Sequence, residues 1–591
     1  MKLLKLHLFL IFAIVVSCTP SRNLADPTYK ETSKLRNHVN FLASDSLKGR
    51  LPGTPESDIA AKYIKDQLQS YGYKPLAADG FQTFDLVISQ KKLGNDNTFA
   101  IDGKPFQQGK DFTVLPISSS DEVSAKVTFV GHGLSIDQDG LKKDDYQNVN
   151  IKGKWALMLF GAPSDKYNLY SRYQSKAVVA RDKGAVGVIF VAEPTDDLDN
   201  ELMPFALREA GVGIPCIQVT RAIVNEYMHK ESRDFPTVEK NLANDINTIN
   251  YESDFVVSAR TKVESIRVNT HNVVMMLEGY DPALKNESIV IGAHYDHLGF
   301  GGRGSGSRRP NELAIHNGAD DNASGVSLVM RLAERLAKQK EQLKRSVVVV
   351  LFGAEEQGIV GSKYFVAHTP KEVGRIAAML NFDMVGRLNK QRNIQISGVG
   401  TFEQGEEIVK SALNPDNLKL TLSKGGFGPS DHASFYAKQI PVLYFTTGVH
   451  MDYHTPNDLA EKLDYEGIHS IELLAKDIVK QLANLAKAPI YQHVGDSYIN
   501  SGTHRKFKVT LGIIPDFTSS GSDGMRADVI SEGRPAYKAG MQAGDIIISI
   551  NKKPVLNVQD YMQRLSELKA GEMVEIIVKR NNEDVILQIQ L

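Results

Sequence analysis

Four runs of apolar residues along this chain each lead to side chains suited to metal binding or acid–base work. Ile289 to Ile291 are β-branched and read as a buried strand, which ends in Gly292-Ala293 and then presents His294 and Asp296. Ser346 to Phe352 is almost continuously hydrophobic and runs into Ala354-Glu355-Glu356; Ala377 to Phe382 runs into Asp383. Pro441 to Thr446 is followed shortly by Tyr453-His454-Thr455-Pro456. Runs apolar on both faces predict an α/β fold, doubly wound, with a mixed, mostly parallel sheet and helices on both faces. In open sheets of this kind the ligand site lies at the carboxyl ends of the strands. Four strands delivering His, Asp and Glu to one edge therefore point to a metal site. His294 and Asp296 are two apart and share a face of an extended chain, so Asp296 can orient the imidazole while its other nitrogen binds a metal.

The rest of the chain divides around these strands. A helical pattern over residues 26–45 places Leu35, Val39 and Leu42 on one face, and a Gly- and Pro-rich loop from Leu47 to Thr54 follows. Pro55 opens a second amphipathic helix with Ile59, Ala60, Tyr63, Ile64 and Leu68 as its stripe, stopped by Gly72, before a strand over Phe81–Val87. Residues 23–96 thus read as the first part of a catalytic domain. Residues 97–254 have another texture: short strands at Val127, Trp155–Phe160 and Val186–Val191, a helix over Lys176–Lys183, and no cluster of acids and histidines. Asp137 to Gly140 reads as a solvated turn, because calcium-ligand spacing does not continue beyond it. Residues 255–490 read as the second part of the catalytic domain. They include a Gly-, Ser- and Arg-rich loop over 300–310 and the stretch Asn317-Gly-Ala-Asp-Asp-Asn-Ala-Ser-Gly325. Behind that stretch, Val326, Val329, Leu332 and Leu336 mark a helix to about residue 340, so Asp320 and Asp321 precede a helix N-terminus, where backbone N–H groups favour carboxylates. Residues 505–591 read as a separate β-rich domain.

Length excludes a single core: 591 residues imply three or four domains. A formal net charge of -1 with 24% charged residues gives no basic patch for nucleic acid. Lys2 and Lys5 precede an apolar run from Leu8 to Val16 that is too short to span a bilayer, which predicts an export signal. Its end, Val15-Val16-Ser17-Cys18, resembles a bacterial lipobox. That implies residues 1–22 as signal and tether, a lipid on Cys18, and a cell-envelope location. The alternative is a plain signal peptide. Beyond Cys18 the chain has Cys216 alone, predicted buried and inert, so any metal ligands are nitrogen and oxygen.

Taken in order, His294-x-Asp296, Gly318 to Gly325, Ala354-Glu355-Glu356, Asn381-Phe382-Asp383 and Tyr453 to Pro456 resemble the two-zinc exopeptidase family that includes aminopeptidase Y and glutamate carboxypeptidase. The region 97–254 resembles the protease-associated domain, and 505–591 resembles a PDZ domain. The resemblance implies two Zn2+ per chain. His294 and Asp383 would bind one, Glu356 and His454 the other, and Asp320 would bridge them across a cis Asp320–Asp321 peptide. It further implies Asp296 behind His294, Glu355 as general base acting on a hydroxide shared by the two ions, and Tyr453 as a supporting hydroxyl for the oxyanion. His297, His316, His432 and His450 fall outside the matched ligand positions. Ser430-Asp431-His432 is not a triad, since adjacent residues cannot take that geometry. In the PDZ-like region Leu511, Gly512, Ile513 and Ile514 match the loop that grips a peptide C-terminus; Lys552 stands where bacterial members usually have Gly. The alternative there is a fold used for packing alone.

The expected activity is removal of N-terminal residues from peptides by an exported zinc aminopeptidase. A carboxypeptidase of the same fold would need cations for a substrate carboxylate, for which Arg303, Arg308, Arg309 and Arg387 are candidates. A glutaminyl cyclase fits less well, since that branch works with one zinc. A catalytically silent peptide receptor is the third reading, and Glu355 argues against it.

Overall fold

The computed structural model describes residues 27–591, apart from 95, 139, 193–201, 204–210, 243–248, 303, 414–417, 495–508, 516–522 and 531–532. The expected export segment with Cys18, and Arg303, lie outside the described residues. No helix among the described residues is long and apolar enough to cross a membrane.

The α/β domain that carries these strand ends is assembled from both sides of the insertion. In chain order it uses helices α1 (Pro27–Leu42) and α2 (Pro55–Ser70), then strands β1 (Phe81–Leu93), β2 (Val263–Leu277) and β3 (Glu287–His294). Helix α3 (Gly325–Ala337), strand β4 (Ser346–Phe352), helix α4 (Val360–Ala367) and strands β5 (Arg375–Phe382), β6 (Asn393–Ser397) and β7 (Lys419–Ser423) follow. The short helix α5 (His432–Tyr436), strand β8 (Val442–Thr446) and helix α6 (Tyr465–Asn484) complete it. The sheet runs β2-β4-β3-β5-β8-β6-β7, with β1 on β2 and Lys74–Pro75 at the same edge. Its four central strands β4, β3, β5 and β8 are parallel, and both flanks join antiparallel. Every residue of β4 is buried, because alternate side chains feed two cores. Val347, Val349 and Leu351 meet Ile289 and Ile291 under α1, α2, α3 and α6; Val348 and Val350 meet Phe365 of α4 and Phe435 of α5. Covering both faces in this way aligns the ends of β3, β4, β5 and β8 on one edge.

The inserted domain has its own eight-stranded sheet, ordered Lys104–Pro105, Thr98–Ile101, Tyr251–Thr261, Asp121–Phe129, Trp155–Leu159, Gly187–Val191, Cys216–Val219 and Phe112–Val114. The boundary expected at residue 254 falls inside Tyr251–Thr261, which pairs with Asp121–Phe129, so this sheet closes at Thr261. The period of that strand matches that of β2 directly after it, and the sequence therefore held no break to read. Cys216 is buried in the sheet. The C-terminal domain packs Met525–Ile530, Ile546–Ile550, Met573–Arg580 and Glu583–Gln590 around Met525, Ile547, Val574 and Ile576, with the helix Val558–Glu567 against them. Leu511 is buried, its carbonyl accepts from Ala536 N–H (2.9 Å), and Gly512 takes a left-handed φ of +74°. A Cβ on Gly512 would meet the Arg534 side chain at 2.1 Å, so the turn needs glycine.

One face of that C-terminal helix rests on the inserted domain. Arg564 reaches both carboxylate oxygens of Asp182 (2.6 and 3.0 Å), and Arg181 pairs with Asp560 (3.0 Å). Arg564 and Asp560 are almost fully buried, so each ion pair is screened little. Arg564→Ala is expected to cost about 1.5–3 kcal/mol, the worth of a hydrogen bond to a charged group, read as earlier urea unfolding of the C-terminal domain in the full chain. An unchanged midpoint would show that the contact carries no stability.

Candidate metal centre

The edge where β3, β4, β5 and β8 end gathers three histidines and three acids. His294 closes β3, and its Nε2 lies 3.2 Å from Asp321 Oδ1 and 3.4 Å from Asp383 Oδ1, just beyond β5. His454 Nε2 lies 3.1 Å from Asp321 Oδ2 and 3.2 Å from Glu356 Oε2. Asp321 therefore offers one oxygen to each cluster. His297 adds its Nδ1 at 2.7 Å from Glu356 Oε1 and 3.8 Å from Asp321 Oδ2. Two sets of nitrogen and oxygen donors, His294–Asp321–Asp383 and His297–Asp321–Glu356, each converge within 4.8 Å.

Three expectations change. Asp320 was placed between the clusters, and the structure places Asp321 there. Asp320 Oδ1 instead accepts the Gly386 N–H (2.7 Å), and Oδ2 faces His450 Nε2 (3.1 Å). The cis peptide is Asp321–Asn322, one residue later than expected. The physical reason is local. Gly318 is left-handed, and Asp321 (φ -107°, ψ 90°) and Asn322 lie outside helical geometry, so α3 has not yet begun where its polar prefix starts. The direction of each Asp is then set by long-range bonds. Asp458 Oδ2 accepts the N–H groups of both Asp320 (2.9 Å) and Asp321 (3.0 Å). A Cβ on Gly318 would sit 2.2 Å from the Asp321 carbonyl, so this turn too requires glycine.

Asp296 also differs from its expected part. Its Oδ1 is 3.7 Å from His294 Nδ1, too far for a hydrogen bond, and that nitrogen sits 3.2 Å from the Asp296 carbonyl. The Asp296 carboxylate instead accepts the N–H of Glu355 (3.0 Å) and of Glu356 (3.2 Å), and so fixes the turn that carries both acids. His297, which the motif left outside the ligand set, lies against it, with Nδ1 2.7 Å from Glu356 Oε1. It lies past the end of β3, where strand alternation stops predicting direction, and the sequence carried no signal for it beyond its nearness to His294. Asp458 was missed as well; its only cue was its place four residues after His454.

Tyr453 stacks on the His454 ring with centroids 3.8 Å apart. His432 stacks on Tyr444 (4.2 Å, 8°), and Ser430 Oγ accepts from the Asn381 amide (2.7 Å), so these residues do not align as a hydrolytic triad. His316 bonds with Ser307 Oγ (2.8 Å) away from the acids. Arg387 pairs with Asp452 (2.5 Å) and Arg309 with Glu312 (3.3 Å), while Arg308 gives its N–H to the His454 carbonyl (2.9 Å).

The charge balance fits a cation. Burial opposes protonation of His294, yet Asp383 and Glu355 hold it well above the ordinary imidazole value. Burial likewise opposes protonation of His454, and Glu356 and Asp321 raise it to about 11. Burial, joined by the charge of Asp320, lifts Asp458 to about 6. Burial, with Glu356 and Asp383 alongside, pushes Glu355 well above the carboxylate range. The carboxylates that hold these imidazoles charged are donors of the kind a cation would use. Imidazole and carboxylate donors suit zinc.

Comparison with known proteins shows what the domains are similar to. The model of peptidase family M28 matches residues 272–479, that of the PA domain residues 123–227, and that of the PDZ domain residues 527–580. An aminopeptidase of Pseudomonas aeruginosa (strain UCBPP-PA14) is 28% identical over 355 residues, covering 59% of this chain and 56% of that protein. Aminopeptidase YwaD of Bacillus subtilis (strain 168) is 29% identical over 224 residues, 36% of this chain and 42% of the relative. The chain spans about half the length of the curated relatives it matches. Among solved structures, the aminopeptidase from Aneurinibacillus sp. strain AM-1 aligns over 79% of this chain and 97% of its own, at 23% identity and a TM-score of 0.48.

Proposed function

We propose, from the premise that residues 272–479 form a peptidase domain of family M28 with PA and PDZ domains beside it, that the protein is a zinc aminopeptidase removing N-terminal residues from peptides. The observation that carries the metal part is Asp321, whose two oxygens face two separate donor sets. His294, Asp321 and Asp383 would hold one zinc; Asp321, Glu356 and His454, with His297 against Glu356, would hold a second. Bound there, zinc supplies Lewis acidity toward the scissile carbonyl and makes water a nucleophile near neutral pH.

The remaining work falls to the chain. Glu355 has its backbone fixed by Asp296, and its side chain is left free of the ligand sets. Its raised proton affinity suits a group that takes a proton from water and hands it to the departing amine. The Tyr453 hydroxyl, on a ring stacked against His454, would donate to the carbonyl oxygen as negative charge develops on it. The aminopeptidase direction is supported by the relatives and by the acid partners already taken by Arg387 and Arg309. The test is a pair of dipeptides, one blocked at its N-terminus and one at its C-terminus. Hydrolysis of the C-blocked peptide alone is expected. Hydrolysis of the N-blocked peptide alone would make the enzyme a carboxypeptidase, and turnover of neither would leave a binding protein.

A further inference from the structure

Arg50 lies in the loop between α1 and α2, far in sequence from every residue of the site and outside residues 272–479. It is nevertheless 1% exposed, and its guanidinium donates to four backbone carbonyls. Nε bonds the Tyr295 carbonyl (2.7 Å), Nη1 those of Asn317 (2.7 Å) and Leu42, and Nη2 that of Gly318 (3.0 Å). Tyr295 follows ligand His294, and Asn317-Gly318 leads into Asp321. The contact is returned: His297 N–H donates to the Arg50 carbonyl (3.3 Å), and Gly299 N–H to that of Gly49 (3.1 Å). Gly49 is left-handed (φ +71°), and a Cβ there would lie 2.6 Å from the carbonyl oxygens of both Gly299 and His316. No other residue type fits so close an approach.

A guanidinium is planar, and its five donors form a rigid fork. Three carbonyls bound to one such plane cannot move independently, and leaving a buried charge without acceptors is costly. We propose that Arg50 is a positioning residue for the metal centre, fixing the segment of His294 against the segment of Asp321 and so setting the affinity for the cation those two share. This rests on the reading of the site as a zinc site. It also gives the segment ahead of the inserted domain a part in the centre: that segment carries the clamp, and the segment behind the insertion carries the donors.

The internal control is Arg345, also fully buried. It too reaches carbonyls, those of Leu482 (3.4 Å) and Leu485 (2.5 Å), and pairs with Glu287 (2.8 Å). It sits at the opposite ends of the same strands, where Glu287 opens β3 and Ser346 opens β4. Arg50→Ala empties a buried position and can fail to fold, so Arg50→Lys, which keeps the charge and loses the planar fork, decides. Zinc affinity of the full chain is measured by competition with a chromophoric chelator, alongside circular dichroism, kcat and KM. Loss of a group that orients ligands typically costs about 10–100-fold in metal affinity, and that loss is expected for Arg50→Lys, with kcat falling and KM holding. Arg345→Lys is expected to lower the melting temperature and leave zinc affinity within about twofold of wild type, since it touches no ligand segment. A folded Arg50→Lys protein that binds zinc like wild type overturns the inference. So does an Arg345→Lys protein that loses zinc equally, because a loosened domain would then explain both. A wild-type protein that binds no zinc overturns the metal reading itself.

Discussion

Glu355→Gln is expected to lower kcat by about 10²–10⁴, the range for losing a positioned general acid–base group, while the protein keeps its full zinc content. The substitution preserves shape and removes only the charge and the proton affinity. The Glu355 backbone stays in place, because Asp296 holds it by the N–H and not by the side chain. Metal retention follows from the charges. Glu355 stands beside Glu356 and Asp383, and burial together with those neighbours already drives it toward its neutral form. A neutral amide there relieves like-charge crowding on two ligands and takes no donor from either set. KM should change little, since proton transfer belongs to the transition state. Elemental analysis with steady-state kinetics on an unblocked dipeptide amide gives both readings. Activity within tenfold of wild type would remove Glu355 from the chemistry, and loss of zinc along with activity would make it a ligand.

The strand ends were legible because hydrophobic runs report burial and the residue that terminates a run reports the sheet edge. His294, Glu356, Asp383 and His454 could be gathered on paper for that reason: each lies close behind an apolar strand whose carboxyl end faces the same way. The residues that misled lie where no period applies. Asp320 and Asp321 stand in a turn whose side-chain directions come from Gly386, 66 residues on, and from Asp458 and His450, each 130 or more residues on. His297 sits past the last residue of β3. Arg50 occupies a Gly- and Pro-rich loop that looks like any connector until its four carbonyl partners are seen. Periodicity places a residue on an element; it gives no direction to a side chain in a loop, and this centre is held together largely by loops gripping one another's backbones. Asp296 on Glu355 and Glu356, Asp458 on Asp320 and Asp321, Asp320 on Gly386, and Arg50 on the carbonyls are one device used four times.

That distinction gives the sharpest expected contrast, between two adjacent aspartates. Asp321→Asn removes the only carboxylate among the described residues that faces both histidine clusters, with Oδ1 at 3.2 Å from His294 and Oδ2 at 3.1 Å from His454. An amide keeps one oxygen as a neutral donor and turns an N–H₂ toward the other imidazole, so at least one cluster loses an anionic donor and gains a competing proton donor. Both zinc positions should weaken together. Loss of Lewis-acid assistance worth several kcal/mol, taken as about 4, corresponds to a drop of about 10³ in kcat/KM. Asp320→Asn should behave otherwise. Its amide oxygen can still accept the Gly386 N–H, while its NH₂ can face the His450 ring, where one nitrogen can accept. Zinc content should stay near wild type and activity should fall by no more than about tenfold, as for a residue that orients ligands without touching the ion. Zinc per chain and kcat/KM, measured on both variants in parallel, separate the two. If Asp320→Asn strips the metal and Asp321→Asn keeps it, the shared carboxylate is Asp320, and the arrangement derived from the Asp321 oxygens is wrong.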